Sequence, residues 1–215
     1  MFLVRHGQSE FNAAFAVSRV DPGIPDPRLT PEGRRQAERA AALLRGAGVR
    51  RLISSPYIRA IETATIIAEV LDVPITIEPL VRERAAFHCD IGTSPAELSR
   101  LYPQLRFDHL DDPWWHDHIG TGQAESEAAL AARCAMFRAA MAATADWHEV
   151  AVITHWGFIR AFTGRPVGNC EIVRIDPATG VVEAIVDGRQ PAATALPGLI
   201  TPLPVDWNEQ RRWVG

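Results

Sequence analysis

The chain has 215 residues, of which 47% are apolar, 22% charged and 7% aromatic. That length buries a core without disulfide or metal staples, and the composition excludes disordered, collagen-like and solenoid-repeat classes. The formal charge of −4 comes from 22 basic and 26 acidic residues, and no basic block offers nucleic acid or an acidic membrane an electrostatic footprint. Every basic residue is arginine. This removes the Schiff-base lysine, the pyridoxal-phosphate anchor and the Walker-type phosphate lysine. Cys89, Cys134 and Cys170 are odd in number and far apart, which points to a reducing compartment and away from a disulfide framework. The opening residues show no targeting segment. The longest uncharged stretch, 191–205, is broken by four prolines and is too short to span a bilayer. A soluble, cytoplasmic protein is expected.

Residues 1–4 form an apolar run that stops at Arg5-His6-Gly7, the pattern of a buried strand opening into a turn. A proline-rich loop, 21–27, leads to Thr30-Pro31-Glu32, where Thr suits an N-cap and Pro the first helical position. That helix runs to about Leu44 and is stopped by Gly46 and Gly48. Arg51 to Ser55 reads as a second strand. Pro56 begins a second helix, with Ile58, Ile61, Thr65, Ala68 and Leu71 at helical spacing. After a short strand over 75–77 the pattern becomes irregular from 79 to about 121, with a small helix over 95–101, and reads as an inserted cap. An Ala-rich helix spans about 125–144. Val150 to Thr154 is a further buried strand, ending at His155-Trp156-Gly157. Segments 171–175 and 181–186 read as a hairpin around 176–180. With no repeat or linker, the expectation is one domain over 1–215. Its architecture is a three-layer α/β/α sandwich with a mostly parallel central sheet and the inserted cap. Ligands in such folds bind beyond the carboxyl ends of the strands.

Three segments place arginine or histidine just past a strand: Arg5-His6-Gly7, Ser54-Ser55-Pro56-Tyr57-Ile58-Arg59, and Thr154-His155-Trp156-Gly157. Two guanidiniums and two imidazoles in one crevice repel one another unless an anion sits among them, and the arginine fork matches phosphate oxygens. The implied ligand is a phosphoryl group. Without a lysine or a metal-ligand cluster, an imidazole is the strong nucleophile at hand, and arginines can spread the charge of the transition state.

Four segments in order carry a resemblance to a known family. They are Leu3-Val4-Arg5-His6-Gly7-Gln8-Ser9-Glu10-Phe11-Asn12, Leu29-Thr30-Pro31-Glu32-Gly33-Arg34-Arg35-Gln36-Ala37, Ser54 to Ala64, and Ile153-Thr154-His155-Trp156-Gly157-Phe158-Ile159-Arg160. The chain resembles the histidine phosphatase superfamily, which includes the cofactor-dependent phosphoglycerate mutases. The resemblance implies that His6 is the nucleophile that becomes phosphohistidine, and that Arg5, Arg59 and His155 grip the transferred group. Asn12, Ser9 and Trp156 are implied substrate contacts. The family protonates the leaving oxygen with a carboxylic acid, since an alkoxide departs poorly near neutral pH. Glu83 stands at the matching position, with Asp90 in reserve. Trp156 follows His155 where the family often has glycine, and the tract after Glu83 lacks the family's common glycine and aromatic pattern.

Other residues have plainer readings. Glu62 reads as a helix-surface or supporting residue. His116 and His118, and likewise His88-Cys89-Asp90, read as solvent-exposed side chains and not as metal ligands. Glu125 and Ser126 begin a helix, and the apolar positions over 128–141 pack a core. Trp114 and Trp115 fit equally a site mouth or an anchor for the cap.

The leading expectation is a metal-independent phosphomonoester hydrolase acting on a small phosphorylated metabolite, with no cofactor. A phosphoglycerate mutase is the alternative within the family. It would need extra cations near the cap, whereas 85–99 carries no arginine or lysine. A non-catalytic phospho-ligand binding module is the alternative from another class. Nothing in the sequence speaks to oligomeric state.

Overall fold

In the computed structural model, residues 1–186 are described; the stretch 191–205 and the end of the expected 1–215 unit lie outside them. In chain order the elements are β1 (Phe2–Arg5), α1 (Glu10–Ser18), α2 (Pro31–Leu44), β2 (Arg51–Ser54), α3 (Ile58–Leu71), β3 (Ile75–Ile77), α4 (Pro95–Leu101), α5 (His118–Thr121), α6 (Glu127–Ala142), β4 (Val150–Thr154), α7 (Trp156–Thr163), β5 (Ile172–Ile175) and β6 (Val182–Val186). Among the described residues, no helix is long and apolar enough to cross a membrane.

The strands form one sheet in the order β3-β2-β4-β1-β5-β6. The first four run parallel; β5 pairs antiparallel with β1, and β6 antiparallel with β5. Parallel strands need both faces covered, which is why β1, β2 and β4 are near-continuous apolar runs. On one face Leu3, Val152 and Val173 pack against Phe137, Phe158 and Phe162 of α6 and α7. On the other, Val4, Leu52, Ala151 and Ile172 meet the small residues Ala37, Ala40 and Ala41 of α2 and Ala60 and Ala64 of α3. These alanines let two helices lie close to the sheet at once.

Register brings three chain segments to one edge. Arg5 pairs with Thr154, and Ser54 with Ile153. One residue further on, His6 N–H donates to Thr154 O (2.9 Å) and Ser55 N–H to Ile153 O (3.0 Å). His6, Ser55 and His155 therefore leave the sheet side by side.

Three helices, α1, the four-residue α5 and α7, are absent from the sequence-based expectation, and two of them flank the site. The first has a clear local cause: Ser9 Oγ accepts from Asn12 N–H while Asn12 Oδ1 accepts from Ser9 N–H, a reciprocal cap. Helix α7 starts straight after β4 with no side-chain cap, and His155 occupies the N-cap position. Helix α3 begins at Ile58, two residues after Pro56.

Residues 79–126 hold only short helical turns, and a third cluster of Tyr57, Ile58, Ile61, Leu98, Phe107 and Trp114 joins them to α3. Trp114 is buried, stacks edge-on against Tyr57 and donates from Nε1 to Thr93 O (2.9 Å). Trp114 thus anchors this segment, with Trp115 edge-on to it.

Backbone crosses backbone where the β1 loop meets α2. A Cβ on Gly33 would overlap the carbonyl of Gln8, and one on Gly7 would overlap the carbonyl of Gly33. Gly33→Ala is therefore expected to lose about 1–3 kcal/mol, as overpacked sites do. Gly46→Ala, where a Cβ meets open space, is expected to hold or gain stability by up to about 1 kcal/mol. Urea unfolding of both variants checks the contrast, and equal midpoints would mean that the crossing carries no constraint.

Candidate active site

His6 is 3% exposed, and its Nδ1 lies 2.7 Å from Gly7 O. A carbonyl only accepts, so Nδ1 carries the proton and the lone pair sits on Nε2. Burial, then the Arg59 and Arg5 charges, hold this imidazole well below its ordinary pKa. His155 is fully buried, with its ring centroid 5.0 Å from that of His6. Its Nε2 pairs with Ser55 Oγ at 2.8 Å, while its buried Nδ1 has no partner among the described residues. Burial first, then Arg59 and His6, keep it neutral too.

Arg59 lies in the first turn of α3, over the Tyr57 ring, with Cζ 4.3 Å from its centroid. Its Nη1 donates to Cys89 O (2.6 Å) and its Nη2 to Asp90 Oδ1 (3.1 Å), an ion pair buried on both sides. Asp90 Oδ2 in turn accepts from the Ala86 and Phe87 N–H groups. Asp90 is thus the partner that fixes Arg59. Arg5 donates from Nη1 to Val167 O (2.9 Å) and keeps a buried Nε without a partner among the described residues. Its guanidinium lies within electrostatic reach of Glu83 and Arg59.

Glu83 sits against the start of α7. Its Oε2 accepts from Gly157 N–H (3.2 Å) and its Oε1 from Arg84 N–H (2.9 Å). A Cβ on Gly157 would overlap Glu83 Oε1, so glycine is what lets the carboxyl in. Burial, reinforced by the Asp90 charge, raises the Glu83 carboxyl above the usual range, against the pull of the two N–H groups and Arg59. The structure thus gathers His6, His155, Arg5, Arg59 and Glu83.

The remaining expected contacts lie around this group. Asn12 Oδ1 accepts from Ser9 N–H and from Asn169 Nδ2, which also donates to His6 O. Only Asn12 Nδ2 remains as a donor. Ser9 is buried in the cap, and Trp156 is 36% exposed beside the Arg160 guanidinium.

Sequence reasoning missed Ser55, Thr63 and Asn169 as supports. Thr63 Oγ1 accepts from Gly7 N–H and donates to Arg59 O, tying the β1 loop to α3. Of the two readings of Glu62 the supporting one fits: it is 6% exposed, pairs with Arg28 and Arg34, and accepts from Leu29 N–H. Two plainer readings change. Cys89 and Asp90 are buried and not solvent-exposed. His118 is buried, with Nε2 against Phe87 O and Nδ1 against His116 O.

The sequence profile of the histidine phosphatase superfamily (branch 1) matches residues 1–193. The chain belongs to that superfamily, and is an enzyme of the phosphatase class. A glucosyl-3-phosphoglycerate phosphatase of Mycolicibacterium vanbaalenii is 29% identical over 184 residues, covering 80% of this chain and 78% of the relative. A probable phosphoglycerate mutase of Proteus mirabilis is 39% identical over 83 residues, but these cover only 39% of this chain and 37% of the relative. Among solved structures, an ecdysone phosphate phosphatase from Bombix mori, in complex with tungstate, shares the fold with a TM-score of 0.57 at 18% identity, covering 97% of this chain and 98% of that one.

The two neutral imidazoles imply a pH signature. Unfolded histidines take a proton near 6.5, whereas folded His6 and His155 do so well below it. In that window the unfolded chain binds more protons, so stability falls as the pH drops below 6.5, by about 1.4 kcal/mol per pH unit for each ring. Replacing His155 by Gln is expected to flatten the slope of unfolding free energy between pH 6.5 and 5 by that amount. An unchanged slope would mean that the ring is charged in the folded protein.

Proposed function

We propose that the chain is a metal-independent phosphomonoester hydrolase that works through a phosphohistidine at His6. The observation that carries the reading is the buried, neutral His6 ring, whose Nδ1 is committed to Gly7 O and whose free Nε2 lies among Arg5, Arg59 and His155. In the first step the Nε2 lone pair bonds to phosphorus as the ester P–O bond breaks, and Glu83 gives its proton to the departing oxygen. Arg5, Arg59 and His155 hold the equatorial oxygens while charge spreads over them. In the second step the Glu83 carboxylate takes a proton from water, the hydroxide bonds to phosphorus, and the P–N bond electrons return to Nε2. Phosphate leaves, and Glu83 is again protonated.

Asn12 Nδ2, oriented through the Ser9 cap, is a further phosphate contact on this reading, and exposed Trp156 faces the body of the substrate. The substrate class is a small phosphorylated metabolite, free in a cytoplasm whose reducing conditions suit three unpaired, buried cysteines. No cofactor and no metal enter the steps. The mutase reading rests on the partial matches to phosphoglycerate mutases. Against it, the arginines closest to Glu83 in sequence are already committed, Arg82 to Glu125 and Arg84 to Glu127.

Phosphate release from p-nitrophenyl phosphate in EDTA tests the reaction class. His6→Ala is expected to abolish both turnover and phosphate labelling of the protein. Glu83→Gln is expected to slow an alkyl phosphate at least about 100-fold, and p-nitrophenyl phosphate far less, because its leaving group needs little protonation. Equal losses for both esters would move the acid elsewhere. Silence of the wild type would favour the binding module, and turnover only alongside phosphoglycerate interconversion the mutase.

A further inference from the structure

The backbone that carries Glu83 belongs to no strand. After the 3-10 turn Pro79–Val81 it runs on outside the sheet, and its carbonyls must find donor partners on side chains. Four successive carbonyls do so. Leu80 O and Arg82 O accept from Arg133 Nη1 at 2.9 and 2.7 Å, Glu83 O from Arg133 Nη2 at 3.1 Å, and Val81 O from Thr154 Oγ1 at 2.6 Å. Three of the four are held by one side chain.

Arg133 projects from α6 and is 5% exposed. Its other two donors fork onto Glu125, Nε to Oε1 and Nη2 to Oε2, each at 2.8 Å. The guanidinium has five N–H groups and here five acceptors, so the ring of contacts is closed and can be made in one orientation only. Glu125 is 2% exposed and adds grips of its own on the same segment: its N–H donates to Ala85 O, its carbonyl accepts from Arg84 Nε, and its Oε1 accepts from Arg82 Nη2. Arg133 Cζ also lies 5.6 Å from the ring of Phe158, the residue after Gly157, whose N–H holds Glu83 Oε2.

We infer that Arg133, locked by Glu125, is a positioning residue for the proposed reaction: it templates the backbone of residues 80–83 so that the Glu83 carboxyl meets the leaving oxygen. This rests on the reading of Glu83 as the acid. A lysine at 133 would keep the charge but bring three donors from a single nitrogen, too few to fork Glu125 and still hold three carbonyls. The segment would stay attached while the carboxyl drifts, and displacement on the order of 1 Å costs about 100-fold in a proton transfer that depends on alignment.

The test is a double-mutant cycle read with two esters, p-nitrophenyl phosphate and an alkyl phosphate, beside thermal unfolding. Arg133→Lys is expected to lower kcat on the alkyl ester about 10- to 100-fold more than on the aryl ester. Added to Glu83→Gln it should cause no further loss on the alkyl ester, since the acid is already gone. Glu125→Gln, which keeps the shape of the partner and loses the charge of the fork, gives a smaller effect of the same pattern and serves if Arg133→Lys fails to fold. Equal losses on both esters, or losses that multiply with Glu83→Gln, would show Arg133 to be a packing residue and overturn the inference. If Glu83→Gln is itself indifferent to leaving group, the acid assignment fails first, and the cycle separates that result from the other.

Discussion

A buried guanidinium has five N–H groups to satisfy, and much of this molecule is arranged around that demand. Arg59 commits two of them, to Asp90 and the Cys89 carbonyl, and lies over the face of Tyr57. Arg133 meets the demand with Glu125 and three backbone carbonyls. Arg59 on α3 is thereby joined to Asp90 in the 79–126 segment, and Arg133 on α6 to the backbone of residues 80–83, so each guanidinium ties together segments that the sheet does not reach. Breaking one partner would strand a charge away from water, which costs far more than a surface ion pair returns. An all-arginine basic complement suits this design, because the planar fork can bind a carboxylate and backbone carbonyls at the same time.

The sheet supplies the complementary part of the arrangement. Parallel register sets the ends of β1, β2 and β4 side by side, and the ladder bonds continue one residue past β1 and β2, onto β4. His6 and Ser55 are therefore placed by backbone hydrogen bonds, and His155 by following directly on β4, before any side chain chooses a rotamer. The alanines of α2 and α3 and the glycine crossing at Gly7 and Gly33 bring the helices close enough for Thr63 to reach the β1 loop. Backbone-fixed imidazoles and carboxylate-fixed guanidiniums thus meet on one edge.

The parts legible in the sequence are those governed by short-range pattern. Apolar runs over β1, β2 and β4, each ended by a polar turn, announced the parallel sheet and the edge on which His6, Arg59 and His155 gather. Helix α2 was readable from Thr30, Pro31 and the glycines beyond its end. Helix α1 was not, because its cap is built from Ser9 and Asn12, which the motif marked as ligand contacts. Helix α7 offers no capping side chain, and its eight residues follow a strand without a break. Contacts between segments far apart in sequence left no periodic trace. Asp90 read as a spare acid and Glu62 as either a surface or a supporting residue, since no spacing rule links them to Arg59, Arg28 or Arg34. Arg133, on a helix that looks like ordinary core packing, was invisible for the same reason.

Asp90 joins the two halves of the proposed chemistry. Its charge offsets Arg59, and, after burial, the same charge helps raise the Glu83 carboxyl, the direction that favours the protonated acid. A phosphate dianion arriving at Arg5 and Arg59 adds negative charge in the same direction, favouring protonated Glu83 just when a proton donor is required. Once the P–O bond is broken and the proton spent, the bare Glu83 carboxylate faces Asp90 and a phosphoryl group, both negative. It relieves that repulsion by taking a proton from water, and the water so deprotonated is the nucleophile that the second step needs. On this account burial and one fixed charge together favour the same carboxyl as an acid in the first step and as a base in the second.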